Sequence, residues 1–405
     1  MSVTVPIIEW AGLIPVLIIL GAGVLGVLVE AFVPRGGRLQ VQAVLSAVAI
    51  LASGTAFVLR WSQVLPQDAG TGRIRPSGRV LAAGISEDPF GVAAQGIVLL
   101  IGLLAVLIMA DRTTAGDGAF AAQAADRPGS AEETESLHRG WTATEVFPLM
   151  LFSLAGMMLF PMVNDLIALF VVLELVSLPL YIMAATARHR RLLSQEAALK
   201  YFVLGAFASA FLLLGSAFLY GLSGSVSYTR VADALAVGGA IDVIDMDWLG
   251  LAGVVLVTVG LLFKTAAVPF HAWSPDVYQG APTPVTGFMA AGVKAAAFLA
   301  LVRFYYLVGG AFGWDMAPFL WTVAILTMVV GTVVGVVQSD IKRMLAYSAI
   351  AHAGYMLMGI IALNGTGISA LLLYALAYGV ATVGAFGIVA LVRTGHGGAA
   401  GAEAT

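Results

Sequence analysis

The chain has no cysteine among its 405 residues. That absence excludes disulfides, thiolate metal sites and Cys-ligated iron–sulfur clusters, so any redox centre that works with this chain has to sit in a partner. Charge is also scarce: Asp, Glu, Lys and Arg make up 11% of the sequence, against about 25% in soluble domains. A P-loop, a GxGxxG entering a helix, a GxSxG elbow and an HExxH pair are all missing, which removes the common nucleotide, hydrolase and zinc chemistries. No cofactor or metal is expected on this chain, and nucleic acid is not an expected partner. The net charge of −3 discriminates little.

What is present is apolar. Hydrophobic residues make up 60% of the chain and the mean hydropathy is +0.97, more apolar surface than one core could hide. Residues 89 to 110, PFGVAAQGIVLLIGLLAVLIMA, carry no charge. At about 1.5 Å per residue they span a hydrocarbon core of about 30 Å. Similar runs lie at 8–33, 40–60, 144–163, 165–187, 195–222, 248–269, 283–306, 315–338, 341–362 and 367–393. The pattern is that of an all-α polytopic membrane protein with about eleven transmembrane helices. The 47 glycines suit helix packing in lipid, where small residues let backbones approach closely. The first run contains Glu9 and Glu30 and lacks a basic leader and a clear cleavage site, so it reads as a retained helix.

Two connectors stand out. Residues 111–143 are small, polar and acidic, a composition expected to form a flexible loop. Residues 223–247, with GSVSYTRVADALAV and IDVIDMD, permit a short hairpin outside the membrane. Orientation follows from the basic residues. With the N-terminus outside, the inside loops hold Arg35, Arg38, Arg112, Arg127, Arg139, Arg188, Arg190, Arg191, Lys342, Arg343 and Arg393, and the outside loops hold only Arg60, Arg73, Arg75, Arg79, Arg230 and Arg303.

Three basic residues remain inside predicted helices: Lys200, Lys264 and Lys294. A charged side chain at a helix centre costs about 2.5–3.5 kcal/mol on insertion scales, so it persists where it faces the bundle interior, a partner or water. Lys264 lies in GLLFKTAAVPFHAW, shortly before Pro269. The proline removes a backbone donor and clashes with the carbonyl of Thr265, so the helix should break there and free carbonyls for water or an ion. Broken helices at membrane depth recur as transporter sites; a lysine snorkelling from a proline kink is the plainer alternative. Lys294, in GFMAAGVKAAAFLALV, has small neighbours that leave room for another helix or a water chain, or it is a satisfied buried lysine. Glu174, in NDLIALFVVLELVSLPLY, lies deep in its crossing, on a proton or ion pathway or as a structural acid paired with a neighbouring helix. Lys200 follows Glu196 by four residues, the order of a helical ion pair, and either forms only that pair or modulates the charge chain. His271 follows the break, and His352 lies in AYSAIAHAGYM; each could relay protons or simply be hydrogen-bonded structure. His138, His189 and His396 fall in loops or the tail.

These stretches carry a resemblance. LFPMVNDLIALFVVLELVSLPLYIMAA, SQEAALKYFVLGAFASAFLLLG, LLFKTAAVPFHAWSPDVYQGAPTPVTGFMAAGVKAAAF and VQSDIKRMLAYSAIAHAGYM resemble the antiporter-like membrane subunits of respiratory complex I, the proton-pumping NADH:quinone oxidoreductase, over residues 145–393. VPFHAWSPDVYQGAPTPVTGFM resembles subunit N among them. The resemblance implies that Glu174 pairs with Lys264 at the broken helix, that Lys200 and Lys294 continue the charge chain, and that His271 and His352 lie on a polar axis. It also implies a fold of about fourteen helices with two inverted five-helix repeats. Here VRTGHGGAAGAEAT follows where a second broken helix would continue, so the second repeat is expected to be incomplete and the protein shortened at its C-terminal end.

The expected organisation is an N-terminal three-helix segment (1–110), the flexible loop (111–143), a first antiporter-like repeat (144–306), a partial second repeat (307–393) and a flexible tail (394–405). The expected function is that of a non-redox membrane subunit of a proton-translocating NADH:quinone oxidoreductase, with proton transfer through Glu174, Lys264, Lys294, Lys200, His271 and His352. NADH and quinone would be used elsewhere in the complex. Its partners would be the other subunits, the lipid bilayer and protons, in a bacterial plasma membrane. Two rivals are a subunit of a cation/proton antiporter and a shortened structural subunit that does not conduct.

Overall fold

The computed structural model describes residues 8–68, 79–82, 84–111, 118–123, 126, 130–139, 141–188, 190–236 and 247–392. Arg73, Arg75, Arg112, Arg127, Arg393, His189, His396 and the tail lie outside the described residues. The chain begins with α1 (Trp10–Phe32), α2 (Arg35–Asp68), a hairpin of β1 (Arg79–Ala82) and β2 (Ile85–Glu87), α3 (Pro89–Ala110) and a short α4 (Ala131–His138). It continues with α5 (Val146–Leu159), α6 (Leu166–Ala184), α7 (Arg191–Ser223), α8 (Tyr228–Ala236), α9 (Asp247–Thr265) and α10 (Trp273–Gly280). A π-helical turn at Met289–Val293 joins α11 (Thr283–Phe288) to α12 (Lys294–Leu307), and α13 (Gly313–Val336), α14 (Ile341–Ile361) and α15 (Gly365–Leu391) complete the chain.

Ten described helices are long and apolar enough to cross a membrane, and the remaining expected crossing is a shorter apolar helix, Val146–Met162. Short polar residues set several starts. Asp88 accepts from Gly91 N at 2.7 Å, Asp165 from Ile167 N at 2.8 Å, Asp340 from Lys342 N at 2.9 Å and Asn364 from Gly367 N at 2.8 Å. Each satisfies an amide that the helix itself cannot. Exposed Trp10, Trp248 and Trp314 lie at the starts of α1, α9 and α13. Those helices enter from the same side, so the indoles trace one interfacial belt.

The centre of the bundle is the α11–α12 crossing, in which every residue from Thr283 to Tyr305 is buried. The outer helices instead expose large apolar side chains such as Val171, Phe207 and Val333, as surfaces in contact with acyl chains do. Close approach uses glycine where a side chain would not fit: a Cβ on Gly331 of α13 would lie 2.4 Å from Ala351 N of α14.

Several local expectations are corrected. Arg60 and Arg303 are not loop residues. Arg303 lies in α12, 1% exposed, 2.7 Å from Asp88, and also donates to Pro161 O; Arg60 lies in α2 and pairs with Glu87. Both charges are internal fastenings of the layer that holds the β-hairpin. That hairpin, unforeseen, turns through Gly84 at φ +77, where a Cβ would meet Ala168 and Asp165 side chains at 2.8 Å. Residues 228–236, expected as part of a hairpin, are helical because Tyr228 and Val231 share one face and bury together, Tyr228 edge-on to Phe304 at 5.6 Å. The 111–143 connector is not loose throughout: Phe120 is 1% exposed, Ala121 N donates to Thr186 O at 2.8 Å and α4 forms beyond it.

Asp88→Ala removes both a helix cap and the counter-ion of a buried arginine. It should destabilise the protein by about 3–5 kcal/mol, read as a large fall in the thermal-unfolding midpoint of the detergent-solubilised protein. Arg139→Ala, which breaks the exposed pair with Glu135, should cost no more than about 1 kcal/mol.

Candidate functional site

The first part of the site is built around the break after α9. Ala266 takes φ 59, and α9 ends at Thr265, sooner than the expected end near 269. A tight turn and side chains take up the groups at the break: Ala266 N donates to Phe263 O at 3.0 Å and Ala267 N to Leu262 O at 3.1 Å. Trp273 Nε1 donates to Phe263 O at 2.9 Å, and Val268 N donates to Thr327 Oγ1 of α13, also at 2.9 Å. The interruption is therefore braced on two sides, which holds Lys264 at the end of a rigid half-helix.

Lys264 is 3% exposed. Its Nζ donates to Ser177 Oγ of α6 at 2.7 Å and to Tyr201 OH of α7 at 3.1 Å, with the Tyr181 and Tyr201 rings 5.6 and 5.0 Å away. Glu174 is not its direct partner: Glu174 Oε1 accepts from Ser209 Oγ at 2.6 Å. Glu174 and Ser177 are three residues apart and so lie on one face of α6. Each makes its own hydroxyl contacts, Lys264 with Ser177 and Tyr201 and Glu174 with Ser209, in place of the direct Glu174–Lys264 pair implied by the resemblance.

Lys294 begins α12, directly after the π-helical turn, and is 2% exposed. It donates to Ala349 O of α14 and has the Tyr378 ring of α15 at 5.9 Å. Among the described residues no carboxylate forms an ion pair with Lys264 or Lys294. Beside Lys294, a cavity of about 430 Å³ between α14 and α15 is lined by His352, Tyr374, Tyr378, Ser348 and Thr382 among others. His352 Nδ1 lies 2.5 Å from Tyr374 OH. Imidazole, phenol and hydroxyl groups thus line a space whose wall includes Ala349 and Tyr378, the residues that Lys294 meets.

His271 stands apart. It sits between α9 and α10 with Nδ1 buried and without a hydrogen-bond partner, and no contact ties it to Lys264. Lys200 makes the expected pair with Glu196 at 2.7 Å, but also a second with Asp276 of α10 at 2.8 Å. Asp276 binds Arg343 of α14 at 2.7 Å as well. Sequence reasoning missed Ser177, Tyr201, Asp276 and Tyr378 as members of the site. The only signal was the presence of polar side chains on otherwise apolar helices.

The fold places the chain in a class: the antiporter-type membrane subunits. Residues 163–399 match the family described as NADH:quinone oxidoreductase/Mrp antiporter, TM. Respiratory complex I from Thermus thermophilus contains a similar chain, with TM-score 0.68 and 32% identity over 94% of this chain and 70% of that one. A chain of the Mrp complex from Dietzia, TM-score 0.70 at 20% identity over 92% of this chain and 64% of that one, shares the fold. The match narrows with sequence. NADH-quinone oxidoreductase subunit N of Beutenbergia cavernae is 52% identical over 398 residues, 97% of this chain and 73% of that protein. Subunit N of Mycobacteroides abscessus is 50% identical over 404 residues, 96% of this chain and 72% of that protein. The chain belongs to this family, and its function is that of a membrane subunit of the proton-translocating NADH:quinone oxidoreductase.

Tyr201→Phe keeps the ring, stacked on Trp273 at 4.7 Å and 11°, but deletes one acceptor of Lys264. It should cost about 1.5–3 kcal/mol in the unfolding midpoint. Tyr201→Leu should lose about 0.5–1.5 kcal/mol more with the aromatic pair.

Proposed function

We propose that this chain moves protons through its own side chains while the redox chemistry takes place in other subunits. The observation that carries the reading is the pair of buried lysines, each held by neutral oxygens and an aromatic face in place of an acid. Glu174 and Ser209 would receive a proton near the start of the path, the Ser177 and Tyr201 hydroxyls would pass it to Lys264, and Lys294 would hand it on toward His352 and Tyr374. Lys200 would act on this path through its ion pairs, and His271 would serve as a proton-holding group at the break. A hydroxyl that both accepts and donates is suited to such transfer: Ser177 Oγ accepts from Lys264 and donates to Leu173 O at 2.5 Å.

On this reading the chain binds no flavin, cluster or metal, and NADH and quinone react elsewhere in the complex. A lack of cysteine supports the absence of a Cys-ligated cluster or thiolate metal site. The chain would lie in a bacterial plasma membrane among the other membrane and peripheral subunits, with its N-terminus outside. The excess of basic residues in the connections on the inner side supports that orientation. The 144–306 and 307–393 segments would be the first repeat and part of the second. The greater identity to subunit N than to the Mrp chain favours this reading over a subunit of a cation/proton antiporter.

Lys264→Ala tests it. Vesicles carrying the assembled complex should show fewer protons moved per NADH oxidised, with complex content unchanged. An unaltered proton yield would refute the proposed path.

A further inference from the structure

The two buried lysines lie on different helices, yet one carboxylate connects the elements that hold them. Asp276, in the first turn of α10, binds Lys200 through Oδ2 at 2.8 Å and Arg343 through Oδ1 at 2.7 Å. Lys200 immediately precedes Tyr201, whose hydroxyl accepts from Lys264 and whose ring stacks on Trp273 of the same α10. The Asp276–Lys200 contact therefore fixes α7 against α10 at the register that puts Tyr201 on Lys264.

The other side of the carboxylate leads to the second lysine. Arg343 lies in the first turn of α14, where it also donates to Gln279 Oε1 of α10 at 3.0 Å. Gln279 in turn donates to Asp340, the cap of α14, at 2.9 Å, and Lys342 donates to Ala281 O at 2.7 Å. This seam sets the position of α14, the helix whose Ala349 carbonyl accepts from Lys294 and whose His352 faces the neighbouring cavity.

We propose that Asp276 is a positioning residue for proton transfer, a single carboxylate that keeps both buried lysines on their hydrogen-bond partners. The inference rests on the proton path proposed above and adds the element that links its two halves. Side-chain exposures of 43%, 35% and 27% for Lys200, Asp276 and Arg343 make the cluster a half-exposed one. Such pairs contribute little to folding, so their removal is read in coupling and not in stability. Asp276 pairs with a cation of α7 and a cation of α14, so its loss loosens both contacts together.

The test uses membranes containing the assembled complex with Asp276→Asn, Asp276→Glu, Arg343→Gln or Lys264→Ala, at matched complex content. The readout is protons moved per NADH oxidised. Asp276→Asn should lose roughly half or more of the yield that Lys264→Ala loses, as sites in one coupled network do. Asp276→Glu should restore it, which a merely structural defect would not predict. Asp276→Asn combined with Arg343→Gln should lose no more than the worse single variant, because both cut the same link.

A normal yield in Asp276→Asn beside a reduced yield in Lys264→Ala would overturn this inference while leaving the proton path standing, and so would additive losses in the double variant. A normal yield in Lys264→Ala would remove the path and this inference with it. If Asp276→Asn does not assemble, Arg343→Gln tests the α14 half of the link, and a normal yield there beside a reduced yield in Lys264→Ala overturns the inference.

Discussion

Everything in this molecule is arranged around the cost of placing an amine at membrane depth. An ammonium facing acyl chains is expensive, and inside a protein it still needs oxygens and polarisable neighbours. Lys294 meets that requirement by standing on a crossing that other helices enclose completely. The outer helices, with their exposed valines, leucines and phenylalanines, then act as the solvent barrier for the inner one. The sparse charge follows from the same constraint: nearly every charged side chain that enters the bundle has a specified partner, as Arg303 with Asp88 and Arg60 with Glu87.

The break after α9 serves the same end for Lys264. Ending a helix inside a membrane leaves amides and carbonyls that lipid cannot satisfy. Here Thr327 and Trp273 take two of them, so the gap is rigid and not open. The proton path proposed above depends on such rigidity, because transfer between oxygen and nitrogen occurs at hydrogen-bond distance. Ser177 and Tyr201 are at such distances from Lys264, and Ser209 is at such a distance from Glu174.

Much of this was legible in the sequence. The crossings follow from uninterrupted apolar runs, the break from Pro269, and the burial of Lys264 and Lys294 from charge inside apolar helices. What was not legible is how distant residues meet. Asp276 lies 76 positions from Lys200 and 67 from Arg343, and nothing local distinguishes it from an interfacial aspartate. The same limit made Arg303 and Arg60 read as loop residues, since their carboxylates belong to the segment around β2. TRVADALA could be read as a strand because its two anchoring side chains, Tyr228 and Val231, reveal a helical face only once Phe304 is beside them. Spacing along one helix was informative, as with Glu196 and Lys200; pairing between helices was not.

The claim that the buried lysines carry the protons is tested most directly by Lys294→Met. Methionine fills the same elongated space, and since Lys294 has no carboxylate partner the change strands no charge, so the complex should assemble normally. Proton movement per NADH oxidised in sealed vesicles is the quantity to measure. The account predicts a clear fall in that ratio with the amount of complex unchanged; an undiminished ratio would contradict it.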